Sequence, residues 1–224
     1  MAASAVSASS IKIQNLSFSF PKKLIFKNVN LDITTNSVSL LTGANGSGKT
    51  TFCRLLSGLQ TGYSGEIISP TKLLYLKQSA ETNLLAATPA LDLSLWSNVN
   101  CKIKNVKLRE ILNYFDLNEK ADQPVWELSG GEQQRLVLSA LLLHPDHFWL
   151  LDEPAAGLDD AQQKKLLQLL QEHKNGALIV SHRKELFAPV TTQVFTIADW
   201  KIIKQSTDGD VCATSKLKPG NINV

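Results

Sequence analysis

One eight-residue loop constrains the fold of this chain more than any other segment. It runs Gly43-Ala44-Asn45-Gly46-Ser47-Gly48-Lys49-Thr50. It fits the pattern G-x-x-x-x-G-K-[ST], in which glycines let successive backbone N–H groups converge on phosphate oxygens. Residues 37–42 before it are typical of a short buried strand, and the residues after Gly48 predict a helix that ends at Gly58. Strand, glycine loop and helix in this order predict a site for a nucleoside triphosphate.

The roles of individual loop residues follow from the charge of the ligand. The N-terminus of the following helix adds a partial positive charge to the backbone N–H groups. Lys49 is expected to reach the β and γ phosphates, and the Thr50 hydroxyl is expected to ligate Mg²⁺, with Thr51 in the same phosphate site. The alternative is a glycine-rich turn that carries an exposed lysine.

Length and composition limit the remaining choices. A chain of 224 residues forms one good core, which favours a single α/β domain with a small subdomain. The net charge of +3 comes from scattered residues, so no nucleic-acid partner is expected. The three cysteines (Cys53, Cys101 and Cys212) lie too far apart in sequence for a zinc knuckle. Because their number is odd, they cannot all pair in internal disulfides, which fits a reducing cytosol. No apolar run approaches the 18 residues or so that a membrane span needs.

The two ends of the sequence lack periodic patterns. Residues 1–10 have neither a basic start nor an apolar stretch, so a signal peptide is not expected, and we predict a flexible leader. Residues 207–224 are predicted to be a weakly ordered tail. The single structured domain is therefore expected at residues 11–206.

Hydrophobic patterns predict the fold class. Residues 11–33 alternate between apolar and polar side chains, which indicates antiparallel strands. The apolar runs at 73–76, 148–151 and 177–180 lack alternation, which predicts strands buried on both faces of a parallel sheet. Helical patterns at 133–144 and 160–173 separate them. We therefore predict an α/β fold: a P-loop NTPase core with a mostly parallel sheet, an N-terminal antiparallel β subdomain and a helical insert at about residues 79–128.

Two further motifs add chemistry. Asp152 and Glu153 follow an apolar strand at the edge of the sheet where ligands bind. Asp152 is expected to hold Mg²⁺ directly or through water, and Glu153 to orient and deprotonate the attacking water. The alternative is that the two carboxylates cap a helix or lie in solvent. The segment Ser129-Gly130-Gly131 opens a helix and predicts a second phosphate-binding N-terminus, or an ordinary helix cap.

The motifs together resemble a known family. The segments Leu128-Ser-Gly-Gly-Glu-Gln-Gln-Arg135 and Phe148-Trp-Leu-Leu-Asp-Glu-Pro154, with the glycine loop, look like the nucleotide-binding domain of ATP-binding cassette (ABC) proteins. The resemblance covers about residues 11–204. It implies ATP hydrolysis in a head-to-tail dimer of two cassettes, either two copies or paralogues. In such a dimer the signature, Ser129 to Glu132, closes on the ATP that the other subunit holds.

The resemblance assigns four more residues. Gln78 matches the glutamine that links the metal site to the helical insert, although a glutamine after a strand can also be a plain surface residue. His182 matches the switch histidine that contacts the γ-phosphate, or it is structural. Phe20 matches the aromatic residue that stacks on adenine, or it faces the core. Asp159 matches a dimer-contacting loop and also suits a helix N-cap. The other histidines, His144, His147 and His173, are expected at helix ends or in solvent.

The expected function is that of an ATPase subunit bound to separate integral membrane transport subunits at the cytoplasmic face of the membrane. The short chain looks most like the ATPases of energy-coupling-factor importers, and haem-exporter ATPases are the alternative within transport. A soluble ABC ATPase acting on DNA or ribosomes is disfavoured. Only about 80 residues, without heptads, separate the loop from the signature, and the chain holds one cassette.

Overall fold

The computed structural model describes residues 9–98 and 105–205. The predicted tail, residues 207–224, lies outside the described residues, and so do residues 1–8 of the predicted leader. Ser10, which we assigned to the leader, begins the first strand. Cys101 and Cys212 also lie outside, whereas Cys53 is fully buried, as expected for a small apolar residue.

The N-terminal part forms a three-stranded antiparallel sheet. Strands β1 (Ser10–Phe20) and β2 (Lys23–Thr34) form a hairpin, and β4 (Ser64–Ile68) pairs with the other edge of β1. The antiparallel layer that the alternating pattern predicted is thus present, and residues 11–33 form two long strands of it. Shifts in the register of the β1–β2 pair bend these strands without ending them.

A six-stranded sheet forms the centre of the molecule in the order β5-β6-β7-β3-β8-β9. Neighbouring strands are parallel, except that β9 runs antiparallel to β8. The bounds are Val38–Gly43 for β3, Leu73–Leu76 for β5, Phe148–Asp152 for β6, Ala177–Val180 for β7, Gln193–Ala198 for β8 and Lys201–Gln205 for β9. The predicted, mostly parallel core is confirmed.

One strand differs from the prediction. We expected residues 73–76 to be buried on both faces, and this is wrong, because Leu73 and Tyr75 are only half-buried. The reason is topological: β5 lies at the edge of the sheet and pairs only with β6. The other two apolar runs form β6 and β7, in which every residue is buried.

Six α-helices surround the sheet in the described residues. They are α1 (Lys49–Leu56), α2 (Pro89–Asn98), α3 (Asn105–Tyr114), α4 (Gly130–Ser139), α5 (Asp160–Glu172) and α6 (Lys184–Phe187). The described part of the predicted insert, residues 79–128, contains α2, α3 and short 3₁₀ turns, and no strand. The helical pattern predicted for 133–144 begins earlier, at Gly130, and continues as a 3₁₀ turn to Leu143.

Two hydrophobic clusters lie on the opposite faces of the central sheet. Alternate residues of β6 show the division, because Leu150 packs with the β1–β2 layer and α1, whereas Leu151 packs with the insert, α4 and α5. Both side chains are fully buried. The carboxyl ends of the central strands are therefore flanked by the antiparallel layer on one side and by the helical insert on the other.

Three histidines form a group that we call the histidine cluster: His144, His147 and His173. Burial lowers the pKa of all three imidazoles below the usual 6.5. His173 stacks on Trp149 with ring centroids 3.5 Å apart. His144 and His173 lie at helix ends, as expected, and His144 is only 3% exposed.

Candidate active site

The glycine loop joins β3 to α1, and at Gly48 it packs closely against strand β2. Gly48 has a φ of 110°, and a Cβ at this position would lie 2.6 Å from Cγ2 of Ile25. A side chain is therefore excluded by both the backbone and the packing. The Lys49 ammonium donates hydrogen bonds to the carbonyl oxygens of Gly43 at 2.8 Å and Ala44 at 3.0 Å. It is thus held over the loop, on the side where a phosphate would enter.

Two oxygen-bearing side chains meet at the end of the loop. The Thr50 hydroxyl donates to Oδ2 of Asp152 at 2.6 Å, although the two residues are 102 positions apart in the sequence. The Tyr75 hydroxyl donates to the same oxygen at 3.4 Å. Burial raises the pKa of Asp152 above its usual value, and the hydrogen bond from Thr50 opposes this shift. A carboxylate and a hydroxyl in contact are the kind of oxygen pair that Mg²⁺ prefers.

Glu153 has an unusual backbone conformation and a fixed side chain. Its φ of 50° is in the left-handed region, and its N–H donates to the carbonyl of Val180 at 2.8 Å. Its carboxylate accepts hydrogen bonds from the Ser181 hydroxyl at 2.9 Å and from the backbone N–H of His182 at 3.2 Å. The Nδ1 atom of His182 lies 3.0 Å from the same carboxylate, and this ring is 75% exposed. A strained residue that neighbours hold in place is typical of a functional site.

A cavity of about 470 Å³ opens between these groups. Ten of the residues singled out from the sequence line it: Phe20, Asn45, Gly46, Gly48, Lys49, Thr50, Thr51, Gln78, Asp152 and Glu153. Its volume is in the range of small-molecule sites. The predicted residues Gly43, Ala44, Ser47 and His182 border this region but do not line the cavity.

Phe20 adds an aromatic side chain to the lining of the cavity. Phe20 is 41% exposed and packs edge-on against Phe18, with ring centroids 5.0 Å apart. The alternative that Phe20 faces the core is therefore wrong. Lys23 and Ile25, which sequence reasoning did not single out, also line the cavity. The Lys23 ammonium donates to the carbonyl of Gly46 at 3.0 Å.

The signature segment begins α4 at some distance from this cavity. The Ser129 side chain accepts from the N–H of Glu132, and the Glu132 carboxylate accepts from the N–H of Ser129, which together form a capping box. An ion pair with Lys120 is the main reason that the pKa of Glu132 falls to about 2. Gly130 has open space around it, whereas a Cβ on Gly131 would lie 2.7 Å from the Gly157 carbonyl. The signature is therefore packed against the loop that precedes Asp159 and does not line the cavity beside its own glycine loop.

The loop after Gln78 is clamped by a buried amide. Asn83 is 4% exposed, and its side-chain oxygen accepts from the N–H of Lys77 at 2.9 Å. Its NH₂ group donates to the carbonyls of Lys77 and Ser79, both at 2.9 Å. Buried Asp92 accepts hydrogen bonds from the backbone N–H groups of residues 85 and 86, so a second polar side chain fixes the next turn. Gln78 thus reaches the cavity from a loop that is fixed on both of its flanks.

Beyond this clamp lies a second cavity of about 550 Å³, which we call the insert groove. It is lined by Glu81, Leu84, Leu85, Ala86, Ala87, Val125, Trp126 and Gln133. Trp126 is 69% exposed and Leu85 is 51% exposed. Large apolar side chains concentrated at one opening are typical of a binding surface.

Several contacts in the site were not anticipated from the sequence. Tyr75, Ser181 and Asn83 carry no motif, and each acts through a contact with a residue that the motifs did identify or with its neighbour. Asp159 is the N-cap of α5, because its carboxylate accepts from the N–H of Gln162 at 2.8 Å. Its expected dimer contact stays a prediction.

Across residues 9–98 and 105–205, no helix has the length and apolarity to cross a bilayer.

The glycine loop between a strand and a helix, with a carboxylate pair at the end of a parallel strand facing it, defines a P-loop nucleoside triphosphatase. Comparison with known families then gives the particular group. The family described as ABC transporter matches residues 26–156, and the chain belongs to it as an ATP-hydrolysing, ATP-binding cassette.

Curated relatives include both importers and exporters. A zinc import ATP-binding protein, ZnuC of Rickettsia bellii, is 36% identical over 165 residues, which are 71% of this chain and 69% of the relative. A cytochrome c biogenesis ATP-binding export protein, CcmA of Hyphomonas neptunium, is 33% identical over 175 residues, 77% of this chain and 89% of the relative. The cassette is therefore of a kind found in transporters of either direction.

Solved structures support the fold. The cbiO1 structure from Clostridium perfringens, described as part of the ABC transporter complex cbiONQ, covers 88% of both chains with a TM-score of 0.70 and 22% identity. The ATP-binding cassette MJ0796, solved as a dimer bound to ADP and Pi, covers 89% of this chain and 99% of its own, with a TM-score of 0.77 and 22% identity. The α/β fold with its helical insert is that of an ABC cassette.

Proposed function

We propose that this chain binds ATP with Mg²⁺ in the 470 Å³ cavity and hydrolyses it to power transport through separate membrane subunits. One observation carries the proposal. The glycine loop, the Asp152–Glu153 pair and Gln78 face a single cavity, although they come from three separate segments of the chain. Convergence of these chemical groups from distant segments is what a triphosphatase site requires.

The phosphates would lie on the loop and the N-terminus of α1. The backbone N–H groups of the loop and the charge of Lys49 would neutralise the triphosphate. To reach the phosphate oxygens, the Lys49 ammonium would leave the loop carbonyls that it contacts in the structure. Adenine would stack on Phe20, whose exposed face borders the other end of the cavity.

The donor set suits Mg²⁺. Thr50 Oγ1 and Asp152 Oδ2 already lie 2.6 Å apart, and Gln78 lines the same cavity with an amide oxygen. These three residues would hold the ion, whose charge offsets that of the β and γ phosphates when it is bound.

Glu153 is the proposed general base. Its carboxylate is held by Ser181 and His182, so it is aimed at a fixed point of the cavity instead of rotating in solvent. In that position it would orient a water molecule and accept its proton as the water attacks the γ-phosphate. His182, which is largely exposed and beside Glu153, would contact the γ-phosphate from the same side.

The substitution Glu153→Gln tests this assignment, because it keeps the size of the side chain and removes the base. We expect ATP binding to persist and the hydrolysis rate to fall by roughly 10²–10⁴. Glu185→Gln is the matched control, since Glu185 is exposed and does not line the cavity. Undiminished turnover in Glu153→Gln would refute the role of Glu153. A second variant, Lys49→Ala, tests the phosphate contact, and we expect it to lose ATP binding.

Two cassettes would complete each other's sites. The signature does not line the cavity of its own chain, and its N-terminus is preorganised by the capping box of Ser129 and Glu132. We infer that it closes on the ATP of a second cassette, as the dimeric state of the MJ0796 structure also suggests. ATP should therefore convert Glu153→Gln from monomer to dimer in size-exclusion chromatography, and Ser129→Arg should prevent dimerisation while ATP still binds. A stable dimer of the Ser129→Arg variant would contradict this arrangement.

The insert groove is the proposed contact with a membrane subunit, and it would place the cassette peripherally on the membrane. Its exposed Trp126 and Leu85 offer an apolar surface to a helix of that subunit. Trp126→Glu should abolish co-purification with an integral membrane protein and leave ATP binding unchanged. Leu59→Glu is the control, because Leu59 is 62% exposed and does not line the groove. Recovery of the wild type only with ribosomes or DNA would favour a soluble ABC ATPase and refute the transport assignment.

Within transport, import of the energy-coupling-factor type is the first candidate, and the 36% identity with the zinc import protein ZnuC is consistent with import. Export is the second candidate, because the match to the CcmA protein spans 89% of that relative's length. The membrane subunit that co-purifies with the wild type separates the two, since importer and exporter subunits differ in sequence and in the direction of transport in vesicles.

A further inference from the structure

Lys23 joins two parts of the fold that meet at the nucleotide cavity. It begins β2, directly after the turn that follows Phe20, and therefore belongs to the antiparallel layer. Its ammonium donates to the carbonyl oxygen of Gly46 in the glycine loop at 3.0 Å. A hairpin that carries the aromatic end of the cavity is thus bonded directly to the loop that forms the phosphate end.

The position of Lys23 differs from that of an ordinary surface lysine. It lines the 470 Å³ cavity and also a smaller cavity of about 290 Å³ on another side of the glycine loop. Its neighbour Lys22 is equally charged and exposed but lines neither cavity. The ammonium of Lys23 therefore bridges the hairpin and the loop at a point that borders both cavities.

The acceptor explains why this bond can persist with nucleotide bound. The Lys49 ammonium also holds loop carbonyls, but it must leave them to reach a phosphate. Lys23 instead holds the carbonyl of Gly46, whose φ of 73° lies in the left-handed region that favours glycine. The bond from Lys23 to Gly46 therefore does not have to break when phosphate binds, and it keeps the hairpin joined to the glycine loop.

We propose that Lys23 is a positioning residue for ATP. By bonding to the Gly46 carbonyl, it fixes the distance between the Phe20 face and the phosphate loop, so that base and triphosphate fit at the same time. The inference rests on the placement of ATP given under Proposed function. It predicts an effect on ligands that use both ends of the cavity and no effect on ligands that use the phosphate end alone.

The experiment compares ATP with inorganic triphosphate in calorimetric titrations of the full chain with Mg²⁺. For Lys23→Met, which keeps an apolar stem and removes the charge, we expect the Kd for ATP to rise by about 3- to 10-fold, because the bond is charge-assisted but open to water. The Kd for triphosphate should change by less than about 2-fold, and kcat at saturating ATP should stay the same. Lys23→Arg should restore most of the ATP affinity, and Lys22→Met should match the wild type.

Each outcome of these titrations has a definite meaning for Lys23. Equal weakening of ATP and triphosphate binding would overturn the positioning role, since this would indicate a direct phosphate contact. Unchanged ATP affinity in Lys23→Met, or equal weakening in Lys22→Met, would also overturn it. If the wild type failed to bind ATP at all, or bound it equally well after Phe20→Ala, the proposed placement of the nucleotide would fail instead.

Discussion

The buried side-chain amide of Asn83 clamps the loop that carries Gln78. The substitution Asn83→Ala removes three hydrogen bonds, two to the backbone of Lys77 and one to the carbonyl of Ser79. At a net value of about 0.5–1.5 kcal/mol each, the loss amounts to roughly 1.5–4.5 kcal/mol. At about 2–4 °C per kcal/mol for a chain of this size, we therefore expect Tm to fall by about 3–18 °C.

The functional consequence follows from the place of Gln78 between the two clamped residues. Without the clamp, Gln78 samples positions outside the cavity, so we expect kcat to fall while the KM for ATP changes little. Thermal unfolding, amide hydrogen exchange at Lys77 and steady-state hydrolysis measure the three effects. Thr82→Ala is the control in the same loop, since its hydroxyl bonds to the Ser79 carbonyl from an exposed position and should cost only a few tenths of a kcal/mol.

An unchanged Tm and full protection of the Lys77 amide in the Asn83→Ala protein would refute the role of the clamp. The same conclusion would follow if Thr82→Ala destabilised the chain as much as Asn83→Ala, since burial would then not decide the cost.

Three further perturbations test contacts elsewhere in the molecule. Gly131→Ala should lower Tm, because the new methyl group meets the Gly157 carbonyl at 2.7 Å, whereas Gly130→Ala, in open space, should raise it slightly; equal effects in thermal unfolding would contradict the packing. Tyr75→Phe should increase the Mg²⁺ concentration for half-maximal ATPase activity about 2- to 5-fold, since one hydrogen bond to Asp152 is lost, and an unchanged Mg²⁺ titration would remove Tyr75 from that role. The pKa values of the histidine cluster are lowered in the folded state, so the unfolded chain takes up protons first as the pH falls. The free energy of unfolding should therefore decrease as the pH drops below 6.5. A Tm equal at about pH 7.5 and pH 5.5 would contradict this.

Motifs and periodicity predicted the parts of this fold that depend on local sequence. The glycine loop and the helix start at Ser129 are readable because their residue types are dictated by backbone conformation and helix-end geometry. The order of strands and helices around them predicted the α/β core, and the structural neighbours confirm that fold. The roles of the individual site residues stay predictions until the variants above are measured.

Features that depend on neighbours in space could not be read in the same way. The edge position of β5 follows from strand order, which four apolar residues do not encode. The hairpin of β8 and β9 turns through Asp199 and Trp200, which have φ values of 48° and 60°. Asp199 is a residue type that tolerates a positive φ, but Trp200 is not, so the sequence carries only part of the usual signal for this turn.

The order of strands also bears on how the protein is made. Strand β3, which carries the glycine loop, pairs on one side with β7 and on the other with β8, and these partners lie more than 130 residues later in the chain. During synthesis, β3 therefore leaves the ribosome long before either of its partners exists, and its apolar residues have no sheet to join. The phosphate loop can reach its final shape only after β7 and β8 have been synthesised. Nascent chains that stop before residue 177 should consequently be unable to form the nucleotide pocket and should depend on chaperones to avoid aggregation.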